Sequence, residues 1–168
     1  MAALTAGCSR DAARPDAATS VTSAERADAT RPCTMLTPVD FQNVALDFQD
    51  GSDDSQNFKL GTATSAACLW ASTSHSKTSS LVHLVIGTGQ SKFEYDHQRA
   101  ILGIDGHLSA VAVGDEGFLS DTPGVIAGFH EYEVVVRKGD LLFMLGTATR
   151  NDPQAITSLA ALVARRLP

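Results

Sequence analysis

The chain has 168 residues, of which 43% are hydrophobic and 19% charged, and its formal net charge is −6. That length supports one ordinary core rather than two comfortable domains, and the acidic balance excludes nucleic acid as a default partner, because phosphate binding requires a basic patch. No stretch approaches the roughly 18–20 continuous apolar residues of a membrane-spanning helix.

The first eight residues, MAALTAGC, end in small residues followed by a cysteine. This is the pattern of a bacterial lipoprotein cleavage site, at which Cys8 becomes the lipid-bearing N-terminus. Leu4 stands one place further from Cys8 than usual, with Thr5 in the customary leucine position. A signal peptide needs a positive n-region and an apolar h-region of about 7–15 residues, so the reading expects a start upstream of Met1; otherwise Cys8 is an ordinary residue of a tail. Residues 9–32 are rich in Ala, Thr, Asp and Arg and show no apolar period, too little to offset the entropy of ordering them. As a coil they span on the order of 25–30 Å, a tether length. The division expected is therefore 1–8 as signal-peptide remnant, 9–32 as disordered tether and 33–168 as a single α+β domain.

With Cys8 set aside, Cys33 and Cys68 remain. They are either a disulfide, which suits an exported protein and would contribute roughly 3–4 kcal/mol, or two buried thiols. Thr37 caps a helix that opens on Pro38, with Asp40 in its first turn and Phe41, Val44, Ala45 and Phe48 as one apolar stripe. The acidic run 49–57 ends it as a polar loop; Gly51 is misplaced for a calcium loop and no glutamate closes it. Residues 66–73 and 79–87 read as strands joined by a polar turn. In the segment after Gly89, Ser91 and Glu94 suggest a capping box, Phe93, His97, Ala100 and Ile101 an inward face, and Gly103 a stop. Strands follow at 108–114 and at Phe118–Leu119, then a hairpin turning at Lys138, Gly139 and Asp140. The last helix takes Asp152 as cap and Pro153 as its first residue; Ile156, Leu159, Ala160, Val163 and Leu167 form its core stripe, and Arg165 and Arg166 suit its C-terminal dipole. Leu81–Ile86 and Leu141–Leu145 are apolar on both faces, so helices should cover both sides of a mostly antiparallel sheet, an α+β sandwich.

No catalytic set can be assembled. GTGQSK at 87–92 lies between strand and helix, where anions bind amides, but Lys92 stands where a dinucleotide fingerprint needs glycine, and the phosphate-loop order is absent. Ser74 and Lys77 have the spacing of the penicillin-binding nucleophile motif without its partner motifs. Asp115 and Glu116 sit side by side between glycines as exposed acids. The histidines, His75, His83, His97, His107 and His130, share no metal-ligand spacing, and His97 reads as a core residue; Trp70 likewise belongs to the core. No metal and no cofactor is expected. Ser91, Lys92, Asp115 and Glu116 are the candidate contacts for a ligand or partner.

The motifs PCTMLTPVDF from Pro32, CLW from Cys68, GDEG from Gly114, VVVRKGD from Val134 and the terminal ARRLP together resemble small exported lipoproteins of actinobacteria that carry a domain of unknown function. Met35 replaces the usual leucine and Gly117 the usual alanine. The resemblance spans nearly everything from Pro32 onward. It implies a sandwich near the PsbP/Mog-like group, a disulfide between Cys33 and Cys68, and a cell-envelope location; it transfers no catalytic residue. The expected function is a non-enzymatic domain, held to the outer face of the cytoplasmic membrane by a lipid on Cys8 or secreted, that binds a small ligand or an envelope protein. The alternatives are a small envelope hydrolase using Ser74 or the Asp115/Glu116 pair, and an accessory or sensory domain of a transporter or kinase system.

Overall fold

The computed structural model describes residues 28–72, 79–149 and 153–168; Cys8, Ser74, His75, Lys77 and Asp152 lie outside them. Among the described residues seven strands form one sheet: β1 (Ser52–Asp53), β2 (Thr64–Ala71), β3 (Ser79–Thr88), β4 (His107–Ala110), β5 (Glu116–Pro123), β6 (His130–Lys138) and β7 (Leu141–Thr149). Every pairing is antiparallel, and the order is β1-β2-β3-β7-β6-β5-β4. A β2–β3 hairpin and a β4–β5–β6–β7 meander meet at the β3–β7 seam. The helices are α1 (Pro38–Gln42), α2 (Ser91–Asp105) and α3 (Gln154–Arg166). The α+β sandwich expected from the sequence is the fold.

Alternation along the strands sorts the side chains into two cores. One face carries Trp70, Leu84, Ile86, Val134, Val136, Phe143 and Leu145, packed against α3 through Ile156, Leu159, Ala160 and Val163. The other carries Ala67, Val85, Phe118, Val135 and Leu142, covered by Tyr95 and Leu102 of α2 and by Phe58 and Leu60 of the β1–β2 connection. β3 and β7 lack a polar face because both of theirs are covered, as parallel-sheet interiors usually are. The β6–β7 hairpin closes tightly, with Lys138 opposite Leu141 and Gly139 at φ 58°, a backbone conformation that glycine adopts without steric cost.

The lead-in segment before β1 is fastened to the first face three times. Cys33, in a 3₁₀ turn at Pro32–Thr34, forms a disulfide with Cys68 of β2. Phe41 and Phe48 pack on each other and Phe41 on Trp70. Arg166, at the end of α3, grips both carboxylate oxygens of Asp40 at 2.7 and 3.0 Å and the Met35 carbonyl at 2.5 Å.

All three helices differ from expectation, α3 only in its start: it begins at Gln154, with Pro153 as N-cap rather than first residue. α1 stops after Gln42 instead of running to Phe48. Ala45 turns left-handed at φ 59°, its N–H donates to the Gln42 carbonyl and that of Leu46 to the Phe41 carbonyl, the paired bonds of a Schellman turn. The i, i+3, i+4, i+7 apolar spacing survives because the turn still delivers Phe48 to the same core, where it bridges to Ser72. α2 runs past Gly103 to Asp105, and Gln90, not Ser91, is its N-cap; no Ser91–Glu94 box forms, and the Gln98 amide instead donates to Glu94. The helix is also rotated from the expected orientation. Ser91, Glu94 and Tyr95 are buried, whereas Phe93, Ile101 and Ile104 are exposed by 68%, 45% and 76%, and His97 and Ala100 lie exposed beside them. α3 agrees with its predicted stripe, Leu167 included.

Candidate functional site

The four residues singled out by sequence meet at one corner. The turn Gly89–Gln90, both at positive φ, starts α2 beside the β6–β7 hairpin. Ser91 Oγ is buried and donates to the Gly139 carbonyl at 3.0 Å. The Gly139 N–H donates to Asp115 Oδ2 at 2.7 Å. Glu116 Oε2 lies 3.3 Å from Arg137 Nε and 3.7 Å from Lys92 Nζ, and Arg137 Nη1 lies 3.6 Å from Asp115. Lys92 also pairs with Asp96 at 2.5 Å, and that hydrogen bond holds its ammonium above the ordinary lysine value. Charge at this corner is therefore matched internally: the acids tie α2 and the 111–116 loop to the hairpin. Beside Asp115 a groove of about 400 Å³ runs between that loop and α3, lined by Val113, Ala161, Ala164 and Arg165. Lys138 borders it, but its Nζ donates to the carbonyls of Ala164 and Leu167.

A second polar pair, absent from the sequence-based candidates, sits inside the face covered by α2. His83 of β3, Gly146 of β7 and Glu133 of β6 form one cross-strand row. Gly146 has no side chain, so the imidazole lies flat over it; a Cβ there would meet Nε2 at 2.5 Å. Phe58 stacks on the ring at 4.8 Å. His83 Nε2 reaches Glu133 Oε1 at only 3.8 Å, beyond hydrogen-bond distance, and it is a buried atom without a hydrogen-bond partner among the described residues. Burial lowers the His83 value, against a smaller pull upward from Asp54, while burial and the neighbouring Glu131 raise Glu133. Both shifts favour the uncharged forms, so the pair is a neutral imidazole facing a carboxyl of weakened acidity. The signal in sequence is a titratable residue at an inward position of each apolar strand, two before Val85 and two before Val135.

Among the described residues, the other histidines do not join them. His130 Nδ1 lies 2.5 Å from Asp121 Oδ1 on the opposite face, and His97 stacks outside on Phe93 rather than in the core. Among the described residues, no three His, Cys, Asp or Glu side chains gather closely enough to hold a metal ion. Trp70 and Cys68 are fully buried, as expected for core residues. The third distinctive feature is apolar: the outward stripe of α2, Phe93, His97, Ala100, Ile101 and Ile104.

Comparison with protein-family models finds no match to this chain, and comparison with curated proteins finds none either.

Proposed function

We propose that this is a non-enzymatic, exported domain, lipid-anchored at the cell envelope through Cys8, that works by binding another protein through α2. The observation that carries the binding role is the outer face of α2. Phe93, Ile101 and Ile104 stand in water on a helix whose opposite side is fully used, and contiguous exposed apolar surface of this kind marks interaction sites. The compartment is supported by the Cys33–Cys68 disulfide, since such bonds persist in oxidising surroundings. The corner around Asp115, Glu116, Ser91 and Lys92 then serves to fix α2 on the sheet, and so to hold the binding face rigid. The acid pair is engaged by Arg137, which favours this role over acid–base chemistry.

A second reading places a small polar ligand at His83 and Glu133, favoured by the buried, unpartnered Nε2. Expression of the gene with its upstream DNA in a lipoprotein-competent host tests the location. An intact mass with a diacylglyceryl group on Cys8 and two hydrogens fewer for the disulfide is expected; an unmodified chain with three reducible thiols would sink it. A photo-crosslinking residue at position 101 should give discrete protein adducts in cells that the same residue at the exposed Val39 does not. Equal or absent adducts would remove the binding role from α2.

A further inference from the structure

We infer that the free edge of β4 docks an extended peptide segment of another protein, one that carries an acidic side chain on the side facing α2. This surface is separate from the outer stripe of α2 and makes a second binding site. β4 ends the sheet, and among the described residues no strand pairs with its outer side. The register fixes which of its groups are open. The Val111 N–H donates to the Gly117 carbonyl at 3.0 Å. Bonded positions alternate along an antiparallel pair, so His107, Ser109 and Val111 turn their amides toward β5. The amides and carbonyls of Leu108 and Ala110 therefore point out of the sheet, a template that an added strand completes.

The two edges of the sheet differ in how they meet water. β1, at the other edge, is only Ser52–Asp53, and Asp50 and Asp54 flank it. Shortness and charge are the usual shields against strand addition. The stretch 107–114, HLSAVAVG, carries no Lys, Arg, Asp, Glu or Pro, and Ser109 and Ala110 are exposed.

Beside the open edge lies a pocket that would select side chains. Ala110 stands opposite Phe118 and Leu108 opposite Ser120, so both side chains are on the face covered by α2, where Leu108 and Phe118 pack. A cavity of about 260 Å³ opens there, and Leu108, Ala110, Phe118, Tyr95, Arg99 and Glu116 are among its walls. An added strand would send every second side chain toward it. Glu116 is already engaged by Arg137 and Lys92. Arg99 is exposed, and no carboxylate of the described residues pairs with it. An acidic residue at one of the alternate positions supplies the missing complement. A second copy is the poorer occupant, because its own β4 would offer His, Leu, Ser and Ala, none of which meets that charge.

Selection of a phage-displayed random decapeptide library on the immobilised full chain tests this, with the Ala110→Pro chain as counter-selection. Proline at that position removes an outward N–H and no ladder bond, which edge strands tolerate. The recovered peptides should alternate an acidic residue with apolar or β-branched ones at period two. A synthetic copy of the most enriched peptide should bind Ala110→Pro about tenfold more weakly than wild type. Arg99→Glu should weaken it about fivefold, and replacing the peptide's acid with lysine should restore binding to that variant. Hydrogen exchange followed by NMR reads the edge directly in the wild-type chain, so it decides even where Ala110→Pro fails to fold. The Leu108 and Ala110 amides should exchange fast in the free chain and slow when the peptide is added, whereas Ser109 and Val111 stay protected throughout. No peptide preferring wild type to a folded Ala110→Pro chain overturns the inference, as does a peptide that binds without protecting Leu108 and Ala110. Peptides without an acid, held equally by Arg99→Glu, overturn the assigned chemistry. Protection already present in the free chain overturns the outside partner: protection lost on dilution gives the edge to a second copy, and protection at every concentration gives it to a segment of this chain.

Discussion

Replacing Asp40 with asparagine removes one charge from the clamp that joins the lead-in segment to the end of α3. The carboxylate is 10% exposed and accepts four hydrogen bonds: from the Thr37 N–H at 2.7 Å, the Thr37 hydroxyl at 2.8 Å, and two Arg166 nitrogens at 2.7 and 3.0 Å. Charge-assisted bonds contribute about 1.5–3 kcal/mol each when dry, but Arg166 is 31% exposed and keeps part of its hydration. Discounted for that screening, Asp40→Asn should cost about 2 kcal/mol. With a urea m-value of about 2 kcal/mol/M, the midpoint falls by about 1 M, and a cycle with Arg166→Met should return a coupling of about 1 kcal/mol.

The pH dependence gives an independent check. Burial alone would raise the Asp40 value, yet the Arg166 and Thr37 bonds together hold it below the ordinary aspartate value of 3.8. A depressed carboxyl contributes stability that is complete above the unfolded value and lost as pH falls through the folded one. The gap between wild type and Asp40→Asn should thus be constant from pH 5 upward and narrow below pH 4. A loss under 0.5 kcal/mol, or a gap that does not narrow, would refute the clamp.

Ala45→Gly should stabilise the protein by roughly 0.5–1 kcal/mol, read as a higher thermal midpoint, because a left-handed alanine carries a Cβ penalty that glycine lacks. Gly146→Ala should cost about 1–3 kcal/mol by driving the His83 ring off its floor, and His83→Ala in the same chain should recover most of it; chemical denaturation of the three variants tests the pairing. Glu133 has a raised value, so its contribution is full below the ordinary glutamate value of 4.5 and is lost as pH rises through the folded one. Glu133→Gln should accordingly match wild type near pH 4 and be the more stable of the two at pH 8 in a denaturation series.

The strands and α3 were legible in the sequence because their patterns state where the core is. The continuous apolar runs Leu81–Ile86 and Leu141–Leu145 call for cover on both faces, the Ile156–Leu167 stripe admits one buried arrangement, and the Gly139 turn fixes the last hairpin. That Ser91, Lys92, Asp115 and Glu116 meet at one corner was not legible, because the contacts that join them run through Arg137 and the Gly139 backbone of a hairpin distant in sequence.

α2 shows where sequence stops. Two faces of that helix carry apolar residues, and periodicity cannot say which one meets the sheet. Tertiary structure chose the face with Tyr95 and Leu102, because Tyr95 packs edge-on against Phe118 while Ser91 bonds to the Gly139 carbonyl beneath and Glu94 accepts from Gln98 one turn along the helix. Phe93 and Ile104 were left outside as a result. The His83–Glu133 pair was hidden for a related reason: the two residues are 50 positions apart, and only strand order sets them across a glycine. Local pattern determines which segments are strands and helices through short-range sterics and burial. Orientation and long-range pairing are decided by how the whole set of surfaces closes, and in this protein those two choices place the candidate binding face.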